Sequence, residues 1–353
     1  METELEIVAA KVLAARFPAE IFGADARKDY RRMAHVLHED RYQGESEKRR
    51  ARDAFSRLGD LWREASRPAS AARVEFKTRR IAYSLGDRLH SGGTCGILRG
   101  VARPLAAGLS GSEIIARVPH SAADNDLMER EAKNLATIAA WVRRSPEGDE
   151  QLGRRIPALL ESIQVEEPGA KVRRRVNAFA LPADFSEGWV SLAEVRAAYP
   201  AGVDPRHAIW AWSRVLEALI LAHGSGIAHG AVTPQHVLVH PPSHLGQVFD
   251  WTASGKPGTK LPYRDAKWSA WQSGDFATIG ADLRSAAWCA VYVLGGDPST
   301  SELPATVPSE LRSFLDRTLQ PRPSFLTATA TRDELRRVAR SLYGEPKFIP
   351  FTM

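Results

Sequence analysis

The sequence predicts an α+β chain: a helical N-terminal module, then a small antiparallel sheet, then a larger helical body. Three observations predict it. Over residues 1–72 apolar side chains recur every three or four positions, with no strand alternation. Between Ile81 and Leu181 short alternating runs are divided by glycine-rich or polar turns, with one helical stretch among them. From Pro205 onward long amphipathic stretches return. The divisions that follow are a helical module at 1–72, a linker at 73–80, a sheet lobe at 81–181 and a helical lobe at 182–353.

Composition narrows the class. A chain of 353 residues buries a full core without staples. Two cysteines, Cys95 and Cys289, make no disulfide framework, so a reducing cytoplasm fits. Glu2, Glu4 and Glu6 open the chain, the wrong sign for a signal or transit peptide. No uninterrupted apolar run is long enough to span a bilayer, so no membrane is expected. The net charge of +6 comes mainly from arginines scattered along the chain, which describes a solvated surface better than a nucleic-acid footprint.

In the first module Leu5 to Phe17 is apolar and stops at Pro18. Asp25 to Leu37 sets Tyr30, Met33, Ala34 and Leu37 on one face, with Arg27, Lys28, Arg31 and Arg32 largely opposite. Ser46 to Ala65 carries Ala51, Ala54, Phe55, Leu58, Leu61 and Trp62 at helical spacing. Between the last two helices stands His38-Glu39-Asp40. From Pro18 to about Ala65, with Ile21-Phe22-Gly23 and Tyr30-Arg31-Arg32-Met33-Ala34, this module resembles a J domain. DnaJ-type co-chaperones use that module to engage DnaK-type chaperones. The resemblance implies a chaperone partner met by Arg31, Arg32, His38 and Asp40. The family tripeptide is His-Pro-Asp; Glu39 removes the proline that fixes φ there and adds a charge beside Asp40, so impaired stimulation is expected. Ser66 to Thr78 reads as a hinge.

In the sheet lobe a strand from Ile81 to Leu89 turns through His90-Ser91-Gly92-Gly93-Thr94-Cys95-Gly96-Ile97 into a second, and Glu113 to Val118 reads as a third. Asp124 or Asn125 caps a helix with Leu127, Glu131, Leu135 and Ile138 on one face. Ile156 to Val165 and Val172 to Leu181 are two further strands. Three consecutive arginines, Arg173 to Arg175, cannot share one sheet face and read as a solvated edge. Ala178-Phe179-Ala180-Leu181-Pro182 would join the lobes.

In the helical lobe Pro205 to Gly226 buries Ile209, Trp212, Leu216, Leu219 and Ile220. It leads into Gly-Ile-Ala-His-Gly-Ala-Val-Thr-Pro-Gln-His-Val-Leu-Val and, after a loop, Gln-Val-Phe-Asp-Trp-Thr, together spanning Gly226 to Thr252. Asp282 to Leu294 is a strong helix, with Asp282 at its start and Gly295-Gly296 at its end. A helix from Pro308 to Leu319 follows. Thr331 to Glu334 spells a capping box, and Gly344 with Pro346 closes the last helix. The apolar tail, Phe348 to Phe351, is expected to dock.

From about Ile81 to Leu342 the order of these islands resembles a protein kinase, which implies a bilobal fold with a nucleotide cleft. In that family a loop H-R-D-L-x-x-x-N precedes a strand and D-F-G. His229 matches the loop histidine and Asp250 the D-F-G aspartate. Ala231 stands where the catalytic aspartate belongs and His236 where the metal-binding asparagine belongs. Gly92 belongs to the loop that covers the phosphates, Arg117 replaces the phosphate-binding lysine, and Glu131 matches the helix glutamate, so an Arg117–Glu131 pair is expected. Asp282 matches the aspartate that braces the catalytic loop.

The changes remove separate parts of phosphoryl transfer. Alanine accepts no proton, and a positioned base is worth roughly 10²–10⁴ in rate. Imidazole is a poor magnesium ligand. The reading is a cytoplasmic pseudokinase with a degenerate J-like module, a scaffold or regulatory adaptor that binds protein partners. No cofactor is expected; were one to bind, it would be ATP with magnesium or manganese, with Asp250 as the metal ligand, joined by His236 if the metal is manganese. The alternatives are a nucleotide-dependent transferase of atypical chemistry and a co-chaperone that delivers a bound client. Lys267, Trp268 and Trp271, in the place of the activation segment, would present a partner surface if exposed.

Overall fold

The structure is a computed structural model that describes residues 3–15, 20–23, 26–65, 74–91, 94–106, 110–145, 154–166, 172–181, 188–264, 274–297, 300, 302–320 and 326–353. Gly92, Lys267, Trp268, Trp271 and Pro182 lie outside them. The chain divides into two compact units, Met1–Ala72 and Arg73–Met353.

The first unit contains α1 (Glu4–Ala14), α2 (Ala26–Val36) and α3 (Glu45–Ala65). Thr3 and Glu6 form a reciprocal capping box at the start of α1. Leu5, Ala9, Val12, Met33, Leu37, Ala51, Ala54, Leu58 and Leu61 pack as one core. Phe55, placed by spacing on the buried stripe, is instead 38 % exposed and lies edge-on to His38 at 6.2 Å. Between α2 and α3, Glu39–Arg41 forms a single 3₁₀ turn. Arg52 of α3 grips the Glu39 carboxylate through Nε at 2.9 Å and Nη2 at 2.6 Å. His38 and Asp40 are exposed and 3.5 Å apart. Arg31 and Arg32 are exposed as expected, with Arg32 paired to Asp29 at 3.2 Å.

The second unit begins earlier than expected. Residues 74–77, read as linker, form an edge strand β1 (Val74–Lys77) paired with β2 (Ile81–Ser91). The sheet continues through β3 (Cys95–Pro104), β4 (Ser112–Pro119), β5 (Ala158–Glu166) and β6 (Arg173–Ala180), in the antiparallel order β1-β2-β3-β4-β6-β5. Helix α4 (Asn125–Val142) buries Leu127, Met128, Glu131, Leu135 and Ile138. Neither expected cap residue acts as one. The Asp124 side chain makes no cap bond, and Asn125 reaches β6, donating to the Arg173 carbonyl at 2.9 Å and accepting the Arg175 amide at 2.7 Å.

Below the sheet lie β7 (Val190–Ser191), α5 (Leu192–Ala198), α6 (Pro205–Gly224), β8 (Val237–His240), β9 (Leu245–Val248), α7 (Ile279–Val293), α8 (Ser309–Leu319) and α9 (Ala328–Tyr343). Trp212, Leu216 and Leu219 of α6 meet Leu283, Ala286 and Ala287 of α7 in one large core with Phe314 and Leu335. Two helix starts differ from expectation. Thr278 caps α7, which leaves Asp282 free to point elsewhere in the first turn. Thr327 caps α9, and Thr331 is a buried interior residue whose hydroxyl donates to the Thr327 carbonyl. The tail docks as expected: Phe348 stacks on His244 at 4.3 Å, Phe351 packs on His207 at 4.6 Å, and Tyr199 donates to the Thr352 carbonyl at 2.5 Å.

Where α7 ends, Gly295 adopts φ +92° against Gly202 at φ +96°, and a Cβ on Gly295 would overlap the Ala201 carbonyl. Gly295→Ala is therefore expected to cost about 2–4 kcal/mol from strain and overlap together, read as a lowered midpoint with unchanged slope in urea denaturation.

Candidate functional site

The site begins on one face of the sheet. Antiparallel register sets Arg117 directly across from Asn177 on β6 and from Ile97 on β3. Cys95, two residues along β3, is its diagonal neighbour. The Arg117 guanidinium gathers these groups with Glu131 of α4. It pairs with Glu131 through Nη1 and donates to Cys95 Sγ from Nε at 3.2 Å and Nη2 at 3.0 Å. Nη2 also lies 2.8 Å from Asp250 Oδ2. The expected Arg117–Glu131 pair is present, and the same guanidinium takes a second carboxylate. Arg117 and Glu131 are both almost fully buried.

Glu131 is saturated. It accepts from the Asn177 side chain at 2.9 Å and from the Trp251 amide at 3.1 Å, while Asn177 also donates to the Met128 carbonyl at 2.9 Å. Burial pushes the Glu131 carboxyl up, with Arg117 opposing. Asp250 goes the other way: burial opposes its charge, but Arg117, then His236 and Thr252, hold it far below the usual carboxylate range. Two carboxylates share one guanidinium. Burial also lifts the Cys95 thiol above its ordinary value.

Asp250 sits at φ +58°, a left-handed conformation that aspartate tolerates, and accepts from the Thr252 amide at 3.3 Å and from the Thr252 hydroxyl. Trp251 is fully buried in the large core beneath α4, not in the cleft, and donates Nε1–H to the Val248 carbonyl at 2.9 Å. Asn134 of α4 ties the segment after it, donating to the Ser254 carbonyl at 3.0 Å and to its hydroxyl at 2.9 Å.

The loop that follows α6 is braced from its backbone. Asp282 accepts the His229 amide at 2.7 Å and the Gly230 amide at 2.8 Å, and lies 3.0 Å from His223 Nε2. Gly230 is at φ +78°, where a Cβ would press on the Ala253 carbonyl. The buried His229 accepts the Ala231 amide on Nδ1 at 3.2 Å, so Nε2 carries the proton donated to the Phe249 carbonyl at 3.0 Å. Burial lowers its pKa to about 4, with Asp282 opposing. Ala231 is buried. His236 places Nδ1 2.8 Å from the Ala231 carbonyl and Nε2 3.5 Å from Asp250.

These donors do not fit a magnesium pair. Asp250 is committed to Arg117 and Thr252, Ala231 supplies no oxygen, and His236 offers a nitrogen. Among the described residues no three His, Cys, Asp or Glu side chains converge on a point that could hold a metal ion. Of the three arginines of β6, Arg173 is exposed and 3.7 Å from the exposed Glu166, Arg174 donates to the Pro119 carbonyl, and Arg175 reaches Glu129 and Ser162. Cys95, Asn177 and Tyr263, whose hydroxyl lies 2.6 Å from Thr252 Oγ1, complete the site; in sequence Cys95 stood only as the replacement of a glycine in the glycine-rich turn, and Asn177 and Tyr263 carried no motif. No helix of the described residues is long and apolar enough to cross a membrane.

No family model matches the chain, and no curated protein matches it in sequence. Among solved structures it is similar to vaccinia related kinase 3, at 15 % identity and a TM-score of 0.57, over 80 % of this chain and 94 % of that one. It is also similar to the BubR1 kinase domain, at 14 % identity and a TM-score of 0.54, over 78 % of this chain and 85 % of that one. The fold is protein-kinase-like.

Arg117→Ala would leave two buried carboxylates unpaired. The expected loss is about 3–5 kcal/mol in chemical denaturation, while the double variant with Glu131→Gln recovers part of it. His229 gives a second expectation. An unfolded imidazole binds its proton below about pH 6.5 and the folded one only near 4. Stability therefore falls as pH drops through that window, by roughly 3 kcal/mol at its foot. Burial also lowers the pKa values of His207 and His244, so the check is a difference: His229→Gln should flatten the fall in melting temperature between pH 6.5 and 5.

Proposed function

We propose that the chain is a pseudokinase: a kinase-like domain used to bind proteins, with phosphoryl transfer weak or lost, joined to a degenerate J-like module. One observation carries it. The backbone brace of the loop is intact through Asp282, yet the loop presents Ala231 where a base is needed, and Asp250 is bound to Arg117 instead of standing open for a metal. A loop kept in shape without its reactive groups serves recognition. A cytoplasmic setting belongs to this reading, since Cys95 and Cys289 are unpaired and buried.

The J-like module would be a docking element. Its His38 and Asp40 are exposed, which favours contact with a chaperone, while Glu39 is drawn onto Arg52. The basic side chains Arg31 and Arg32 suit an acidic groove. A co-chaperone role requires that the full chain stimulate the ATPase of a DnaK-type chaperone and that His38→Gln abolish it. We expect less than a twofold effect.

The deciding assay is transfer of radiolabel from ATP, with magnesium or manganese, to the protein itself or to a general substrate. Wild type and Asp250→Ala should be indistinguishable. Label incorporated by wild type and lost in Asp250→Ala would overturn the pseudokinase reading in favour of an active transferase.

A further inference from the structure

Tyr263 lies thirteen residues after Asp250 and had no role in the sequence pattern. Its ring packs against two clusters. On one side are Ala228, Ala231, Ala253, Leu261 and Ala277 around the catalytic-loop position. On the other are Cys95, Leu127 and Met128 of the sheet and α4. A single aromatic ring thus bridges the two walls of the kinase-type cleft, next to the position left small by Ala231. Its hydroxyl is also spoken for. Asp250 is an acceptor only, so the Thr252 hydroxyl donates to it, and Thr252 Oγ1 then accepts from the Tyr263 hydroxyl at 2.6 Å. The approach to Tyr263 is pinned by backbone bonds: Gly258 N–H to the Ala277 carbonyl, Ala277 N–H to the Thr259 carbonyl, and Leu261 N–H to the Asp275 carbonyl, each 2.8 Å.

We propose that Tyr263 is an intramolecular plug, taking the volume that a carboxylate at position 231 would need, and that the cleft admits the phosphates of a nucleotide only when this ring leaves. The inference rests on the kinase-like reading of the cleft and adds what closes it. The Arg117 guanidinium is already paired with two carboxylates, Glu131 and Asp250. It has little charge to spare for a bare triphosphate, and the ligand class that suits an unplugged cleft is a nucleoside triphosphate carrying its own divalent cation.

The test is calorimetric titration of the full chain with ATP and manganese, and with ATP and chelator. Tyr263→Ala should bind manganese-ATP at least tenfold tighter than wild type and gain little with chelator. Thr252→Val, which cuts the hydroxyl tether while keeping side-chain shape, should gain at least threefold and decides the matter if Tyr263→Ala does not fold. A folded Tyr263→Ala with wild-type affinity overturns the proposal, as does a wild type that already binds as tightly as the variant. Neither outcome touches the pseudokinase reading, which the radiolabel assay decides on wild type alone.

Discussion

The second unit depends on one guanidinium. Arg117 is carried by a central strand, Glu131 by the helix packed on that sheet, and Asp250 by the chain leaving the smaller sheet below. Taking a charge of this kind out of water costs several kcal/mol even after relaxation, and only well-placed partners offset it. The partners here are two carboxylates and a thiol, with Asn177 and the Trp251 amide filling what Glu131 has left. A lysine ammonium is a point charge with a flexible stem; the planar guanidinium reaches Glu131, Asp250 and Cys95 at once. That reach joins three elements, and the same reach spends Asp250.

The loop keeps its shape because its supports are directed at backbone. Asp282 holds the amides of residues 229 and 230, and His229 holds the Ala231 amide and the Phe249 carbonyl. None of these bonds involves a side chain at position 231, so that position can change without releasing the loop, whereas the His236 ring adds a bond to the Ala231 carbonyl at 2.8 Å. What changes is the cavity beside it. An alanine leaves room there, interiors do not keep room, and the Tyr263 ring packs on the cluster of small side chains to which Ala231 belongs.

How much of this was legible in sequence follows from the range of each contact. The Arg117–Glu131 pair and the Asp282 brace were readable because each residue sits at a fixed place on an element whose position the motif order sets. The element ends were less so: Thr278 and Thr327 outcompeted the caps expected at Asp282 and Thr331, because threonine hydroxyls sat one turn earlier. Strand β1 was hidden in a stretch mixing alanine, proline and arginine, and only pairing with β2 defines it. Asn177 and Tyr263 had no signature and Cys95 stood only as a replaced glycine, since what brings them to the site is sheet register and a distant loop. The same holds for Glu217, buried on α6, which binds Arg155 at 2.7 Å and Arg214 at 2.7 Å and fastens the turn before β5 to the helical lobe. In the first unit, Glu39 was legible as a charge in the turn between α2 and α3, but its bond to Arg52, thirteen residues on, was not.

Asp250-Trp251-Thr252 is packed against reorientation of the tripeptide itself. In D-F-G the final glycine gives the backbone freedom to reorient. Thr252 is β-branched and fully buried, and its hydroxyl is bonded to Asp250 on one side and Tyr263 on the other. Trp251 is anchored deeper still, with its ring edge-on to His229 at 4.4 Å, its indole N–H on Val248 and its amide on Glu131. Turning this tripeptide would break bonds to the catalytic-type loop, to the strand before it and to α4 together, and would expose the largest buried ring in that part of the core. Freedom at this point would have to come from the Tyr263 side chain, because the tripeptide itself is packed as core.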